Sequence, residues 1–148
     1  TAVHGPDFGK GEHDISEFVQ NIDLAPTILE YAGVDIPDEM QGESFLGLMR
    51  GIPARNMITD QGKGWRDALY YHYYEYPAEH AVRRHYGIRT ERYSLMHFYN
   101  DLDCWELYDL KRDPLQMHNI YHTPEAEKIL PDLMEKLQEL QRLYEDPI

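Results

Sequence analysis

Cysteine is nearly absent from this chain. Cys104 alone excludes an internal disulfide and a metal site built from several thiolates, and it leaves the redox compartment undetermined. No apolar run approaches the roughly 20 residues that a membrane-spanning helix needs. The first residues also lack the basic-then-apolar order of a secretion signal, so any targeting segment is expected to lie outside this sequence. Basic residues are scarce: 14 Lys+Arg stand against 27 Asp+Glu, a net charge of −13. That balance argues against a general binder of nucleic acid or anionic membrane. No glycine-rich phosphate loop, no G-x-S-x-G frame around Ser44, no internal repeat and no low-complexity stretch is found.

What is present suffices for a core. The 148 residues are about one domain's length, and 42% hydrophobic content with 12% aromatics is ordinary for a globular chain. Thr1 to Glu12 carries Gly5, Pro6, Gly9 and Gly11 without an apolar period and reads as a loop or frayed end. Leu24, Ile28 and Tyr31 then fall at helical spacing, with Asp23 as a natural N-cap, Pro26 in the first turn and Gly33 as a left-handed stop. A short helical turn capped by Ser44 is expected through Phe45, Leu48 and Met49, ending at Gly51 and Pro53.

The middle of the chain has strand character. Aromatic Leu69–Tyr76 is stopped by Pro77, Arg84–Thr90 alternates, Tyr93–Tyr99 follows after only Glu91 and Arg92, and Trp105–Leu110 ends at Lys111-Arg112-Asp113-Pro114. In the tail, Leu130, Leu133, Leu137, Leu140 and Tyr144 recur at three- and four-residue steps behind Thr123 and Pro124, while Pro131 predicts a kink or a restart. The expected class is α+β: a small four-stranded antiparallel sheet packed by a long C-terminal helix, with a helical N-terminal segment.

One basic cluster stands out from the acidic whole. Arg83, Arg84, Arg89 and Arg92 lie within ten residues, flanked by His80 and His85. Guanidinium forks match carboxylate, sulfate or phosphate, but they also pair with a chain's own carboxylates. For Arg89 and Arg92, beside the hairpin, internal pairing is the expected use. His80 and His85, in a loop and an early strand, are the better ligand contacts. His118 and His122 have H-x-x-x-H spacing, yet no Glu follows His118, no third ligand is evident, and Asn119 with Thr123-Pro124 suggests a loop. Asn100, Asp101 and Asp103 lack EF-hand spacing and read as a solvated turn. Cys104 has no basic neighbour to hold a thiolate and reads as a packing thiol.

Three blocks in order resemble a known family. Phe18-Val19-Gln20-Asn21-Ile22-Asp23-Leu24-Ala25-Pro26-Thr27-Ile28-Leu29 is followed by Ala32-Gly33 and Met40-Gln41-Gly42-Glu43-Ser44. Tyr86 to Leu95 contains Gly87-Ile88-Arg89-Thr90, and Glu106-Leu107-Tyr108-Asp109-Leu110 precedes Asp113-Pro114 and Asn119. Together these are similar to the C-terminal part of type I sulfatases, within the alkaline-phosphatase-like superfamily. The resemblance implies that residues 1–64 are the tail of a large α/β domain and its connection, and that 65–148 form a C-terminal sheet-plus-helix subdomain.

It further implies that a missing N-terminal catalytic domain is the partner. That domain would hold a calcium ion and a formylglycine made inside a Cys/Ser-x-Pro/Ala-x-Arg motif. Cys104 breaks that motif, and Gly11-Glu12-His13 is followed by no lysine through Gln20, so no catalytic role falls on this chain. By itself the fragment is expected to be inactive. His80, His85, Arg83 and Arg84 would form a rim that contacts a sulfated sugar. The rivals are a phosphodiesterase or phosphoethanolamine transferase of the same superfamily, and a freestanding glycan-binding module, against which Thr1 offers neither a start methionine nor a signal. A periplasmic or secreted location follows from family analogy alone.

Overall fold

The computed structural model describes residues 14–57 and 64–148. The loop expected over Thr1 to Glu12, and His13, lie outside the described residues. The chain forms two compact units divided between Asp67 and Ala68.

The first unit is organised around one buried carboxylate. A 3-10 turn, Asn21–Asp23, leads into helix α1, Leu24–Tyr31. Pro26 sits in its first turn, where the missing N–H is not needed, and Gly33 at φ 68° ends it. Asp23 was expected to cap α1. Instead its carboxylate is fully buried, accepting the N–H groups of Gln20 (2.7 Å) and Glu43 (2.9 Å) and both prongs of the Arg66 guanidinium. Those donors outcompete the helix's own N–H groups because one is charged and two come from chain that needs anchoring. Four residues on, Thr27 donates to the Asp23 carbonyl (2.6 Å) and accepts from the Phe45 N–H (3.1 Å). Gly42 is required where the chain returns, since a Cβ there would lie 2.1 Å from the Ile22 carbonyl oxygen. Ser44 accepts from the Leu46 N–H at the start of the short helix α2, Leu46–Met49. Phe45, Leu48 and Trp65 form this unit's core.

The second unit is a two-layer α+β fold. Strands β1 (Ala68–Tyr73), β2 (His85–Thr90), β3 (Tyr93–Phe98) and β4 (Cys104–Asp109) pair antiparallel in sequence order. The register aligns Tyr70, Ile88, Leu95 and Leu107 in one row across the sheet. Helix α3, Leu130–Leu143, covers that row with Leu133 and Leu137, and Ala126 completes the core. Ile88, Leu95 and Leu107 are entirely withdrawn from solvent, which is worth about 1.5–3 kcal/mol apiece. Thr123 and Pro124, expected as the cap and first residue of the long helix, instead precede a separate 3-10 turn, Ala126–Lys128, where Thr123 Oγ1 accepts the Ala126 N–H (3.3 Å). The long helix then restarts with Pro131 in its first turn. Gly87 lets Tyr71 lie across the sheet's other face: a Cβ there would meet the Tyr71 hydroxyl at 2.7 Å.

Strand ends follow hydrogen-bond supply. β1 stops three residues earlier than expected because Arg84 takes the Tyr74 and Tyr76 carbonyls with its side chain, which removes them from any ladder. The outer edge of β4 is covered by Asn119 and Ile120. Asn119 Oδ1 accepts the Leu107 N–H (3.0 Å), and the Ile120 N–H donates to the Leu107 carbonyl (2.8 Å), which blunts an exposed strand edge. At the end of β4, Asp109 accepts from the Arg92 guanidinium (2.9 Å) and the Lys111 N–H (3.1 Å).

Two outcomes are expected. Leu107→Ala removes the centre of the row and should cost about 2–5 kcal/mol in denaturant unfolding. The Asp109 carboxyl is held below the usual carboxylate range, foremost by the Arg92 hydrogen bond, against burial that pushes the other way. A depressed folded value stabilises above the ordinary carboxylate pKa and is lost as pH falls through it. The stability gap between wild type and Asp109→Asn should therefore be full at neutral pH and shrink below about pH 4.

Candidate functional site

The connection from β1 to β2 carries three of the four expected site residues, and the fourth opens β2. His80 is exposed on this connection. Arg83 pairs with Asp101 of the β3–β4 connection, and its guanidinium lies 4.4 Å over the Tyr76 ring. Arg84 is turned inward upon its own connection, with Nε donating to the Tyr74 carbonyl (2.8 Å) and Nη2 to that of Tyr76. The structure therefore separates two arginines that are adjacent in sequence. Arg83 stays 41% exposed beside an equally exposed carboxylate, whereas Arg84 is a clamp.

His85 is held by rings. It stacks on Tyr73 (5.6 Å, 24°), meets Tyr71 edge-on (5.7 Å) and leans on Phe98 (5.1 Å), on the sheet face opposite α3. Its Nδ1 is 2.8 Å from the Arg83 carbonyl, which can only accept. Nδ1 therefore carries a proton, and Nε2 is the ring's remaining polar atom. The buried hydroxyl of the stacked Tyr73 has no hydrogen-bond partner among the described residues. Sequence reasoning passed over Tyr73, and only the Tyr73↔His85 register reveals it. Burial pushes the neighbouring Tyr71 hydroxyl up to about 12.

A second cluster was also missed. His72 Nδ1 lies 2.6 Å from Asp146, and His72 Nε2 lies 2.6 Å from the Tyr99 hydroxyl. Tyr70 and Tyr74 hydroxyls donate to the same Asp146 oxygen, at 2.8 and 3.2 Å. Residues 74 positions apart leave no local signal.

The weaker candidates stay apart. His118 is exposed beside Asp113 (3.6 Å) and lies on no helix. Arg92 pairs with Asp109, as its place beside the hairpin suggested. Cys104 is exposed at the start of β4. Among the described residues no three His, Cys, Asp or Glu side chains gather as a metal site.

The profile of the family described as N-sulphoglucosamine sulphohydrolase, C-terminal, matches residues 2–143. The chain belongs to this family. It is 48% identical over 134 residues, 88% of its length, to an N-acetylglucosamine-6-O-sulfatase of Bacteroides thetaiotaomicron, of which it spans 22%. It is 30% identical to the N-acetylglucosamine-6-sulfatase of Bos taurus, covering 91% of this chain and 27% of that one. A solved structure in complex with its substrate, D-glucosamine-2-N,6-O-disulfate, superposes with a TM-score of 0.72 at 48% identity, over 84% of this chain and 24% of the other. The chain thus spans about a quarter of the length of the sulfatases it resembles. No helix among the described residues is long and apolar enough to cross a membrane.

Because Arg84 makes two charge-assisted bonds, worth about 1.5 kcal/mol or more each, Arg84→Met should loosen its connection. Limited proteolysis between residues 74 and 84 is expected to accelerate at least ten-fold, with the unfolding midpoint of the unit little changed.

Proposed function

We propose that this chain is the C-terminal region of a sulfatase that hydrolyses the sulfate ester of a glucosamine-type sugar, with the ester at O6. On this reading residues 1–64 finish a large α/β domain, residues 65–148 form a C-terminal subdomain, and upstream chain completes the enzyme. The observation that carries it is the 48% identity to an N-acetylglucosamine-6-O-sulfatase across 88% of this chain.

Formylglycine and calcium belong to the upstream part. The donor set here fits neither: Cys104 leads into Trp105 and Glu106 rather than the modification motif, and the described carboxylates do not converge. What this chain's own residues do is bind and orient. Arg83 holds Asp101 at the surface, an exchangeable pairing of small net worth, so its fork can turn to a sulfate or a sugar hydroxyl. His80 reaches solvent, and the His85 ring is fixed by Tyr73 and Phe98 with Nε2 as its remaining polar atom. Arg84 shapes the connection rather than touching sugar. The 148-residue chain alone turns over no sulfate ester.

The test uses the full-length enzyme and N-acetylglucosamine 6-sulfate. His80→Ala and His85→Ala should each lower kcat/KM at least ten-fold, about the loss of one hydrogen bond to a charged group, while the melting temperature stays within a few degrees. If kcat/KM for every sulfated sugar tried is unchanged in both variants, the rim has no part in choosing substrate. A wild-type enzyme that cleaves phosphodiesters and no sulfate ester overturns the assignment itself.

A further inference from the structure

A buried histidine–carboxylate contact sits where an apolar pair would serve stability as well. The side chains of His72 and Asp146 are only 3% and 4% exposed. Taking hydrogen-bonding groups out of water costs about as much as their mutual bonds return, so such contacts are weak stabilisers but strong constraints on geometry. Asp146 reaches this place by a deliberate turn. α3 ends at Leu143, Glu145 takes a left-handed φ of 52°, and the Asp146 N–H donates to the Gln141 carbonyl (3.0 Å). A non-glycine residue in that conformation is strained and persists where the surroundings over-determine it. The turn aims the carboxylate back at the sheet.

From there the contacts lead to the connections on either side. Asp146 Oδ2 gathers His72 Nδ1 and the hydroxyls of Tyr70 and Tyr74. The Tyr74 ring lies on the imidazole at 3.7 Å and 28°, and His72 Nε2 meets the Tyr99 hydroxyl. Tyr74 is the first residue beyond β1 and Tyr99 the first beyond β3. Both backbones then grip Arg84: the Tyr74 carbonyl accepts its Nε, and the Tyr99 N–H donates to its carbonyl (3.3 Å). Arg84 is thus held from two sides by residues that a single imidazole orients.

We propose that His72 and Asp146 are positioning residues that set the height and angle of the 74–84 connection, and through it the affinity for substrate, by way of Tyr74, Tyr99 and Arg84. The proposal rests on reading that connection as the substrate rim. Neither residue touches sugar. Their effect falls on the ground-state placement of His80 and Arg83, so it appears in KM rather than kcat.

The experiment uses the full-length enzyme with N-acetylglucosamine 6-sulfate, and follows amide hydrogen exchange over residues 74–84 in parallel. Asp146→Asn and His72→Leu should each raise KM about five- to twenty-fold, keep kcat within two-fold, and speed exchange in the connection about ten-fold. His72→Gln restores a polar contact and should recover part of both losses. Should Asp146→Asn fail to fold, Tyr99→Phe, which removes only the outer hydroxyl, carries the same comparison with a smaller KM rise. KM within two-fold of wild type in a folded variant whose connection has loosened overturns the proposal, because the pair then only holds the fold. Unchanged exchange over 74–84 overturns it as well. A wild-type enzyme inert toward the sugar brings down the functional reading instead, and the exchange comparison still decides whether the pair holds the connection.

Discussion

Leu133 and Leu137 can leave water in only one direction, onto the row formed by Ile88, Leu95 and Leu107. A single sheet and a single long helix have no third layer, so this contact fixes which face of every strand points inward. Period-two alternation does the rest. With Ile88 inward, His85 and Arg89 must lie on the opposite face, and with Leu95 inward, Phe98 must join them. A one-residue slip of β2 would bury Arg89 and expel Ile88, which no surface rearrangement could offset. The aromatic cradle around His85 is therefore a consequence of leucines on the other side of the sheet.

Two buried carboxylate centres answer a different need. Asp23 is satisfied on both carboxylate oxygens by Arg66, Gln20 and Glu43, so it ties together three pieces of chain that are separate in sequence. Asp146 with His72 performs a comparable task in the sheet unit, between a helix end and two strand ends. In each case the partners come from distant sequence and every donor has a fixed direction. Hydrophobic contact has no such direction. The apolar layer supplies stability, while these centres decide which of several similarly packed arrangements is adopted.

This division explains what could be read from the residues alone. The four strands, the Glu91-Arg92 hairpin and the α3 stripe all rest on local period and local turn chemistry, and each stands where expected to within a few residues. The restart at Pro131 was legible because proline's missing N–H is a local fact. What stayed hidden depends on distance in sequence. Asp23 looked like a cap because Arg66 lies 43 residues away, and Leu69–Tyr76 looked like one strand because the competing donor, Arg84, lies beyond a loop. The candidate rim was half legible: His80 and Arg83 remain at the surface, while adjacency in sequence said nothing of Arg84's inward turn.

The split between Arg83 and Arg84 also bears on how an acidic protein can receive an anion. A net charge of −13 repels a sulfated ligand at long range, but at physiological ionic strength the field decays over about 8 Å. Local charge therefore decides what happens at the rim. Arg84 contributes its charge there while its Nε and Nη2 donate to the carbonyls of Tyr74 and Tyr76, so one edge of its fork is already in use. Arg83 offers the fork, and Asp101 occupies it until a better acceptor arrives. An exposed carboxylate is a modest competitor, because the pairing is solvated on both sides. Under the proposed function a sulfate would meet an arginine already held over the Tyr76 ring, so the exchange would cost little ordering entropy. Arg83 thus fills the role under the proposed function only while Arg84 stays clamped, which ties ligand recognition to the same carbonyls that end β1.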